Sequence, residues 1–361
     1  MKNKDYKLFI AVILLAFFGV VMIYSASSVW ALYKFGDSFK YVKSQFIFFI
    51  IGILIMVILS KFDHHLFEKH SNKILIFCLM LLGLVLIPGI GSIRNGSRSW
   101  FGIGSLGIQP SEFSKLGLII YVSKYLAHNK VNSRIKIKEM LPLFLIILFS
   151  FGLIMLEPDF GTGMVLTLTL VILIFSSGLN FSFFLKLGFL GLGGIALLIA
   201  IAPYRMARIV SFLNPWSDPL GSGFQIIQSL YAIGPGGLLG QGFLSSRQKQ
   251  FYLPEPQTDF IFSIISEEFG FLGVIIVTSF FFFIFYRIIK ISLRQTDLFS
   301  KYLSFGFGVS ILLQAIMNIS VVIGLIPVTG VTLPFLSYGG SSLLVSMIGI
   351  GIILNISKID K

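Results

Sequence analysis

The 361-residue chain is 56% hydrophobic and only 12% charged, and its mean hydropathy is +0.93. These values exclude an ordinary soluble domain and predict a polytopic membrane protein. The formal net charge of +13 comes largely from short loops between apolar runs, which indicates membrane orientation and not nucleic-acid binding. The single cysteine, Cys78, excludes an intrachain disulfide and a metal site built from cysteines.

Apolar runs long enough to cross a bilayer, about 17 to 25 residues each, predict an all-α polytopic membrane protein with about ten transmembrane helices in one integral membrane domain, 1–361. The positive-inside rule favours an orientation with both termini in the cytoplasm, since most lysines and arginines then lie inside. In that orientation the segment 204–258, before the eighth span, is a large extracytoplasmic loop. The runs begin near Leu8, Gln45, Ile74, Pro110, Leu141, Gly163, Phe183, Phe260, Lys301 and Pro334.

Two early motifs place polar residues at a membrane boundary. The first span ends in Tyr24-Ser-Ala-Ser-Ser28, whose small hydroxyl residues favour close helix packing. A short outer loop then carries Arg94-Asn-Gly-Ser-Arg98-Ser-Trp100. The guanidinium of Arg98 can bind a phosphate through two hydrogen bonds, and a lipid-headgroup contact beside an interfacial tryptophan explains it equally well.

The fourth span opens with Gln109-Pro-Ser-Glu112-Phe-Ser-Lys115, which places two charges inside an apolar helix. Glu112 and Lys115 are three residues apart and lie on one face. Because a charge in a span costs about 2.5 to 3.5 kcal/mol, the pair is expected to face a wet cavity or a protein interior. A substrate-lining role and a structural ion pair both fit. In the later turn Glu157-Pro-Asp159, capping of the next helix by Asp159 is the favoured interpretation.

The loop 204–258 contains two amphipathic stretches, Tyr204–Leu213 and Phe224–Tyr231, which are typical of interfacial helices lying on the outer leaflet. Arg208 in the first stretch and Lys249 near the end of the loop are cations that can hold an anionic group. The glycine-rich turn Gly234–Gly242 lacks the Lys-Ser/Thr ending of a phosphate-binding loop, so no nucleotide site is predicted.

The most informative stretch is Leu253-Pro-Glu255-Pro-Gln-Thr-Asp259, where the polar loop passes into the eighth span. Its two prolines stiffen the chain, so Asp259 reaches the membrane boundary with restricted freedom. A carboxylate held there suits proton transfer. A cap on the following helix, made by Thr258 or Asp259, is equally consistent with the sequence.

Seven motifs in this order resemble the SEDS family of shape, elongation, division and sporulation proteins, and the resemblance covers nearly the whole chain. It implies a peptidoglycan glycosyltransferase that polymerises lipid II on the outer face of the bacterial cytoplasmic membrane. The motifs are Tyr24-Ser-Ala-Ser, Asn95-Gly-Ser-Arg-Ser-Trp, Gln109-Pro-Ser-Glu-Phe-Ser-Lys, Pro158-Asp-Phe-Gly-Thr, Phe212-Leu-Asn-Pro-Trp, Leu253-Pro-Glu-Pro-Gln-Thr-Asp-Phe-Ile-Phe and Leu333-Pro-Phe-Leu-Ser-Tyr-Gly-Gly-Ser-Ser.

The resemblance also implies roles and partners. Asp259 corresponds to the carboxylate that the family requires, and it becomes the candidate general base of an inverting transfer. Glu112 and Lys115 correspond to the family's cavity pair. The implied partners are lipid II, a class B penicillin-binding protein and other membrane proteins of the division or elongation machinery. The motif Asn214-Pro-Trp216 leans toward the division and sporulation branch.

Several residues near the motifs are candidates for binding the substrate. Arg98, Arg208 or Lys249 could stabilise the departing pyrophosphate, and Glu255 is a second acid beside the base. The sequence makes no cofactor certain, and a divalent cation, Mg²⁺ or Mn²⁺, could bridge the phosphates. The chain departs from the family pattern at three positions: Gln257, Glu157 and Ser99 stand where histidine, glutamine and arginine are usual.

Two other functions fit part of the sequence. A flippase that moves lipid II across the membrane would explain charges inside a span, but it needs no base at the exit. A noncatalytic scaffold for a partner synthase would need only large apolar helix faces. Both alternatives predict that the isolated protein makes no glycan strands.

Overall fold

The computed structural model describes residues 5–94, 96–102, 107–129, 137–201 and 203–358. These residues form twelve α-helices, one antiparallel β-hairpin and short 3-10 turns. In chain order the elements are α1 (Tyr6–Phe35), α2 (Lys40–Leu59), α3 (His65–Val85), β1 (Ser92–Arg94), β2 (Ser97–Trp100), α4 (Pro110–Asn129), α5 (Leu141–Leu156), α6 (Phe160–Phe175), α7 (Phe181–Ile201), α8 (Pro203–Leu213), α9 (Phe224–Ile233), α10 (Ile261–Leu293), α11 (Leu298–Val322) and α12 (Gly340–Ile356).

A helix occupies each of the ten apolar runs, so the prediction of an all-α polytopic membrane protein is confirmed. Within the described residues, α1, α2, α7, α10 and α11 are long and apolar enough to cross a membrane. Three further apolar helices, α5, α6 and α12, are 16 or 17 residues long. The total of ten spans stays a prediction.

The helices pack around α11. This helix contacts α4, α6, α10 and α12, while α1 and α2 complete one side of the bundle through α10 and α12. The packing of α12 on α2 is close enough to require glycine, because a Cβ on Gly351 would lie 2.9 Å from the carbonyl oxygen of Met56. Nearly every residue of α12 is buried. The bundle is therefore built on a protein-facing centre with lipid-facing helices outside it.

The last helix begins later than the apolar run predicts. The predicted start is Pro334, and α12 starts at Gly340. The intervening residues fold back as a turn, in which the Leu333 amide donates to Ser337 Oγ at 2.8 Å. The Ser337 hydroxyl in turn donates to the carbonyl oxygen of Thr258 at 2.6 Å. This turn joins the entrance of α12 to the entrance of α10.

The two amphipathic stretches of the long loop form α8 and α9. Helix α9 buries Ile226, Ile227 and Ala232 and packs against α10 and α11. The Ser229 hydroxyl donates to the carbonyl oxygen of Val322 at 2.7 Å. An apolar stripe looks the same in sequence whether it faces lipid or protein, and the stripe of α9 faces protein. That the two helices lie on the outer leaflet stays a prediction.

Helix α10 is broken at Gly270, whose φ of 61° and ψ of −159° are not helical. The break frees backbone groups, and the glycine-rich segment 237–242 pairs with them. The amide of Phe271 donates to the Gly237 carbonyl oxygen at 2.9 Å, and the Glu267 carbonyl oxygen accepts from the Gln241 amide at 2.9 Å. Such pairing allows a helix to be interrupted at membrane depth. The glycine-rich segment therefore has a structural role.

Candidate active site

The polar loop before α10 enters the helix without a capping side chain. Helix α10 begins at Ile261, and Phe260 at its N-cap makes no side-chain hydrogen bond to the first turn. The Thr258 hydroxyl donates backwards instead, to the carbonyl oxygen of Glu255 at 2.8 Å. The interpretation in which Thr258 or Asp259 caps α10 is therefore wrong, and the carboxylate of Asp259 needs another explanation.

The carboxylate of Asp259 is partly exposed, and within the described residues it accepts no hydrogen bond. Burial raises the pKa of Asp259 to about 6, the negative charges of Glu255 and Asp159 act in the same direction, and the positive charge of Arg208 opposes them. A carboxylate without a competing partner, and with a pKa near the ambient pH, can accept a proton from a bound substrate.

A cavity of about 420 Å³ is lined by residues of α8, the long loop and the segment that follows α11. Arg208, an exposed residue of α8, donates from Nη1 to the carbonyl oxygen of Val328 at 3.1 Å. The same segment reaches Asp259, because a Cβ placed on Gly330 would lie 3.7 Å from Asp259 Oδ2. The segment 328–330 thus links the cavity, through Val328, to the candidate base, and the positive charge of Arg208 acts on Asp259. Its lining includes Arg208, Ser211, Ser222, Gln225, Pro254 and Val328.

Two further acids lie at the start of α6. Asp159 caps this helix as predicted, since its Oδ1 accepts from the Thr162 amide at 3.1 Å. Its Oδ2 accepts from Gln109 Nε2 at 2.9 Å, which joins the starts of α4 and α6. Glu157 is fully buried, and neither of its carboxyl oxygens has a hydrogen-bond partner in the described part of the chain. Of these two acids, only Asp159 has a carboxylate that is held by hydrogen bonds in the described part of the chain.

The β-hairpin covers Glu157 and turns Arg98 away from it. The hydroxyl of Ser99 donates to the Glu157 carbonyl oxygen at 3.3 Å, and the Ser97 hydroxyl donates to the same atom. Side chains alternate along a strand, so Arg98, between these serines, lies on the opposite face of β2. The structure does not bring Arg98 to Asp259, and its role with phosphate stays a prediction.

Glu112 and Lys115 form the ion pair that their spacing predicts. Lys115 Nζ lies 2.8 Å from Glu112 Oε2, and both side chains are buried. Lys115 also donates to Gln314 Oε1 of α11 at 2.6 Å. A cavity of about 20 Å³ adjoins Lys115, which is room for about one water molecule. The pairing is confirmed, whereas a role in the reaction stays a prediction.

Lys249 is placed differently from what a phosphate-binding role needs. Its side chain is buried, and Nζ donates to Glu268 Oε1 at 2.9 Å and to Ser25 Oγ at 3.1 Å. Glu267, the preceding acid, accepts from the Arg247 amide at 2.8 Å. We therefore leave Lys249 out of the proposed binding of pyrophosphate, because its charge is already compensated inside the protein. Ser25 belongs to the motif Tyr24-Ser-Ala-Ser-Ser28 at the end of the first span, so this motif contacts the buried pair of Lys249 and Glu268.

Two amides of α11 contact the candidate site, and no sequence motif pointed to them. Asn318 Nδ2 donates to the carbonyl oxygen of Asp259 at 2.7 Å, and Gln314 contacts Lys115 from the same side of the helix. Both amides are buried. Their signal was present, since two amides four residues apart inside an apolar run are expected to face a polar partner.

Fold and site together define a polytopic helical membrane protein with a candidate base, an arginine and a cavity grouped at one end of the bundle. A family model described as "Cell cycle protein", which combines FtsW, RodA and SpoVE, matches residues 6–361. The chain belongs to this family, and the resemblance to SEDS proteins is confirmed.

Individual relatives match over their full length. Stage V sporulation protein E of Bacillus subtilis (strain 168) is 49% identical over 99% of this chain and 98% of its own. The probable peptidoglycan glycosyltransferase FtsW of Trichlorobacter lovleyi is 41% identical over 99% of this chain and 94% of its own.

Solved structures share the fold. A chain from the structure described as "Structural coordination of polymerization and crosslinking by a peptidoglycan synthase complex" superposes with a TM-score of 0.79. It is 29% identical, and the match covers 99% of this chain and 98% of that one. RodA of Thermus thermophilus superposes with a TM-score of 0.72 at 27% identity, covering 98% of this chain and 96% of that one.

Proposed function

We propose that this chain is a peptidoglycan glycosyltransferase that polymerises lipid II into glycan strands on the outer face of the cytoplasmic membrane. The single observation that supports this most is Asp259. Its carboxylate is partly exposed, it has no hydrogen bond within the described residues, and burial raises its pKa to about 6. The relatives named as peptidoglycan glycosyltransferases support the reaction class.

The proposed reaction is one displacement at a sugar carbon. The 4-hydroxyl oxygen of the acceptor sugar attacks the anomeric carbon of the donor, and the bond from that carbon to the lipid pyrophosphate breaks. The hydroxyl proton passes to Asp259, and the bonding electron pair leaves with the pyrophosphate. A single attack from the opposite face inverts the configuration and needs one base and a stabilised leaving group.

Arg208 is the cation that this proposal assigns to the leaving group. It is exposed, it lines the cavity of about 420 Å³, and its charge acts on Asp259. A guanidinium can hold a phosphate through two hydrogen bonds. In this proposal the cavity holds sugar and pyrophosphate, and Ser211 and Ser222 are part of its lining.

A divalent cation that bridges the phosphates of the substrate stays part of this proposal. Mg²⁺ and Mn²⁺ prefer oxygen ligands, and the substrate phosphates supply such oxygens. Bound to them, the cation would neutralise charge on the pyrophosphate, while the carboxylate of Asp259 stays the base. Among the described residues, a cluster of three potential metal ligands occurs at Asp63, His64 and His65, at the opposite end of the bundle.

The interior ion pair favours polymerisation over lipid transport. Lys115 is held between Glu112 and Gln314, and the adjoining cavity of about 20 Å³ is far smaller than a sugar. A flippase would need a path for the headgroup along these charges. The packing instead supports a fixed structural role for the pair.

The partner and the location follow from the same proposal. The chain works with a class B penicillin-binding protein, which the match to a peptidoglycan synthase complex supports. It is a multi-pass protein of the bacterial cytoplasmic membrane with both termini in the cytoplasm. The 49% identity to a stage V sporulation protein supports a role in sporulation or division.

The experiment is strand synthesis in detergent, where no membrane remains to be crossed. Purified protein is incubated with labelled lipid II, alone and with a class B penicillin-binding protein whose transpeptidase is blocked by a β-lactam. The partner alone is the control. We expect labelled strands only when this chain is present. Absence of strands in every mixture, with lipid II transport intact in vesicles, would support the flippase and contradict the proposal.

A further inference from the structure

Two buried amides on α11 link the candidate base to the interior ion pair. Gln314 and Asn318 lie one turn apart on the same face of the helix and are almost fully buried. Burying an amide is unfavourable unless it is hydrogen-bonded. Both amide nitrogens are hydrogen-bonded, whereas Asn318 Oδ1 has no partner among the described residues. The acceptors of these nitrogens therefore indicate what the two residues do.

Asn318 holds the backbone of Asp259. Its Nδ2 donates to the Asp259 carbonyl oxygen at 2.7 Å and to the Val331 carbonyl oxygen at 2.7 Å. Both acceptors are carbonyl oxygens, so the amide can be oriented in only one way. Because α10 lacks a capping side chain, this amide is the contact from α11 that fixes the backbone where the candidate base begins.

Gln314 connects the same region to the ion pair. Its Oε1 accepts from Lys115 Nζ at 2.6 Å, and its Nε2 donates to the Thr332 carbonyl oxygen at 3.0 Å and to Ser342 Oγ at 3.1 Å. Thr332 is the neighbour of Val331. A continuous chain of hydrogen bonds thus runs from Glu112 through Lys115 and Gln314 to the segment that Asn318 joins to Asp259.

The segment 331–338, which accepts hydrogen bonds from Asn318 and Gln314, also supports the loop before α10. The Tyr338 amide donates to the Gln257 carbonyl oxygen at 2.8 Å, and the Ser337 hydroxyl donates to the Thr258 carbonyl oxygen. Three successive carbonyl groups before α10 are therefore held by residues 318, 337 and 338. We propose that Gln314 and Asn318 are positioning residues that hold Asp259 in place, and that the Glu112–Lys115 pair supports the active site through Gln314.

This inference rests on the proposed function, and its first test is Asn318→Ala in the strand-synthesis assay. We expect kcat to fall by about 10²-fold, the cost of displacing a catalytic group by about 1 Å, with KM little changed. The matched control is Asn355→Ala. Asn355 is a buried amide at the other end of the bundle, where its Nδ2 donates to the Ser60 carbonyl oxygen at 3.3 Å. We expect the control to retain kcat.

The pH dependence of the rate separates positioning from a loss of folding. Asp259 faces Glu255 from its own loop, Asp159 from α6 and Arg208 from α8. Release of the loop in Asn318→Ala exposes the carboxylate to water, so the acid limb of kcat should move to lower pH. Partial unfolding would lower the maximal kcat and leave unchanged the pH at which kcat rises. That result would contradict a positioning role for Asn318.

Gln314→Glu is the variant that keeps the contact with Lys115. The new carboxylate still accepts from Lys115, but it cannot donate to Thr332 or Ser342. We expect a lower melting temperature, because the buried carboxylate faces the Thr332 carbonyl oxygen, and a kcat per folded molecule lower by about tenfold, equivalent to about one hydrogen bond. In addition, the losses of kcat caused by Lys115→Met and Gln314→Leu should not be additive in the double variant, because both substitutions interrupt the same series of hydrogen bonds.

The outcomes distinguish this inference from the proposed function. If Asp259→Asn is inactive whereas Asn318→Ala and Gln314→Glu match the wild type in kcat and in pH profile, the positioning inference is wrong and the proposed function stands. If Asp259→Asn is active, the proposed base is wrong. Strictly additive effects of Lys115→Met and Gln314→Leu would also overturn the link to the ion pair.

Discussion

Glu157 is a buried acid for which a neutral form explains the structure. Neither carboxyl oxygen has a hydrogen-bond partner in the described part of the chain, and the side chain is fully buried. Burial, followed by the negative charge of Asp159, raises the pKa of Glu157 to about 8. A protonated glutamate resembles glutamine in size and charge. This explains how an acid can occupy a position where the family usually has glutamine.

The raised pKa of Glu157 predicts a pH dependence of stability. The folded protein keeps this proton between about pH 4.5 and 8, whereas the unfolded chain releases it. The free energy of unfolding should therefore fall as pH rises through that window, by about 1.4 kcal/mol per pH unit at most. Glu157→Gln should remove this slope in melting curves recorded in detergent. Glu139→Gln, at an exposed carboxyl, is the control and should keep it.

Glu255 predicts a second pH effect, on the rate of strand synthesis. The base must be ionised to act, so the wild-type rate should rise through about pH 6, the pKa of Asp259. Glu255→Gln removes a negative charge that raises this pKa. The acid limb should then move to lower pH while the plateau is largely kept. A limb that moves to higher pH, or a lost plateau, would mean that Glu255 acts on the substrate directly.

At the scale of elements, buried charges join the long loop to the bundle. Lys249 and Glu268 pair at 2.9 Å, and their side chains are 4% and 0% exposed. Ser25 of α1 donates to the same carboxylate at 2.6 Å. The pair therefore fastens the loop to α10 and α1, and removing one charge leaves the other buried without compensation.

Lys249→Met should lower the free energy of unfolding by about 3 to 5 kcal/mol, the cost of an unpaired buried charge. Adding Glu268→Gln should restore much of the loss, because the stranded charge is then removed. Melting temperatures in detergent measure both effects. The exposed pair of Lys43 and Asp37, at 2.8 Å, is the control, and Lys43→Met should cost less than about 1 kcal/mol. A double variant no more stable than Lys249→Met would contradict the role of the pair.

The positions of most helices could be predicted from apolar runs, whereas their interruptions could not. Gly270 lies in the run Phe269-Gly-Phe-Leu-Gly273, where a glycine at a break looks like one in a regular helix. Its unusual backbone is stabilised by a segment about thirty residues earlier, and local sequence does not encode that pairing. The turn after Leu333 was missed for the same reason, because it depends on contacts with Thr258.

The candidate site was predicted more completely in its residue types than in its geometry. Composition and the prolines directed attention to Asp259, but only the uncapped start of α10 separates a base from a helix cap. Lys249 and Arg208 looked equivalent in sequence as loop cations. One is buried in an ion pair and the other lines the cavity, a difference that depends on tertiary contacts.

At the scale of the whole molecule, the predicted orientation, with both termini in the cytoplasm, places Asp259 outside. Single cysteines at Ser222 and Lys61, introduced into Cys78→Ala, test this in intact cells, since both positions are exposed. We expect a membrane-impermeant thiol reagent to label Ser222→Cys from outside and Lys61→Cys only after lysis. The reverse pattern would place the candidate site in the cytoplasm, away from the proposed reaction.

The most direct test of the central claim is the rate of strand synthesis by Asp259→Asn in detergent, beside Glu255→Gln as the control in the same loop. Asparagine keeps the size of the side chain but cannot take the acceptor's proton. A general base therefore predicts a loss of about 10² to 10⁴-fold in a folded protein, with a milder effect for Glu255→Gln. Strand synthesis by Asp259→Asn at a near-normal rate would contradict the assignment of Asp259 as the base.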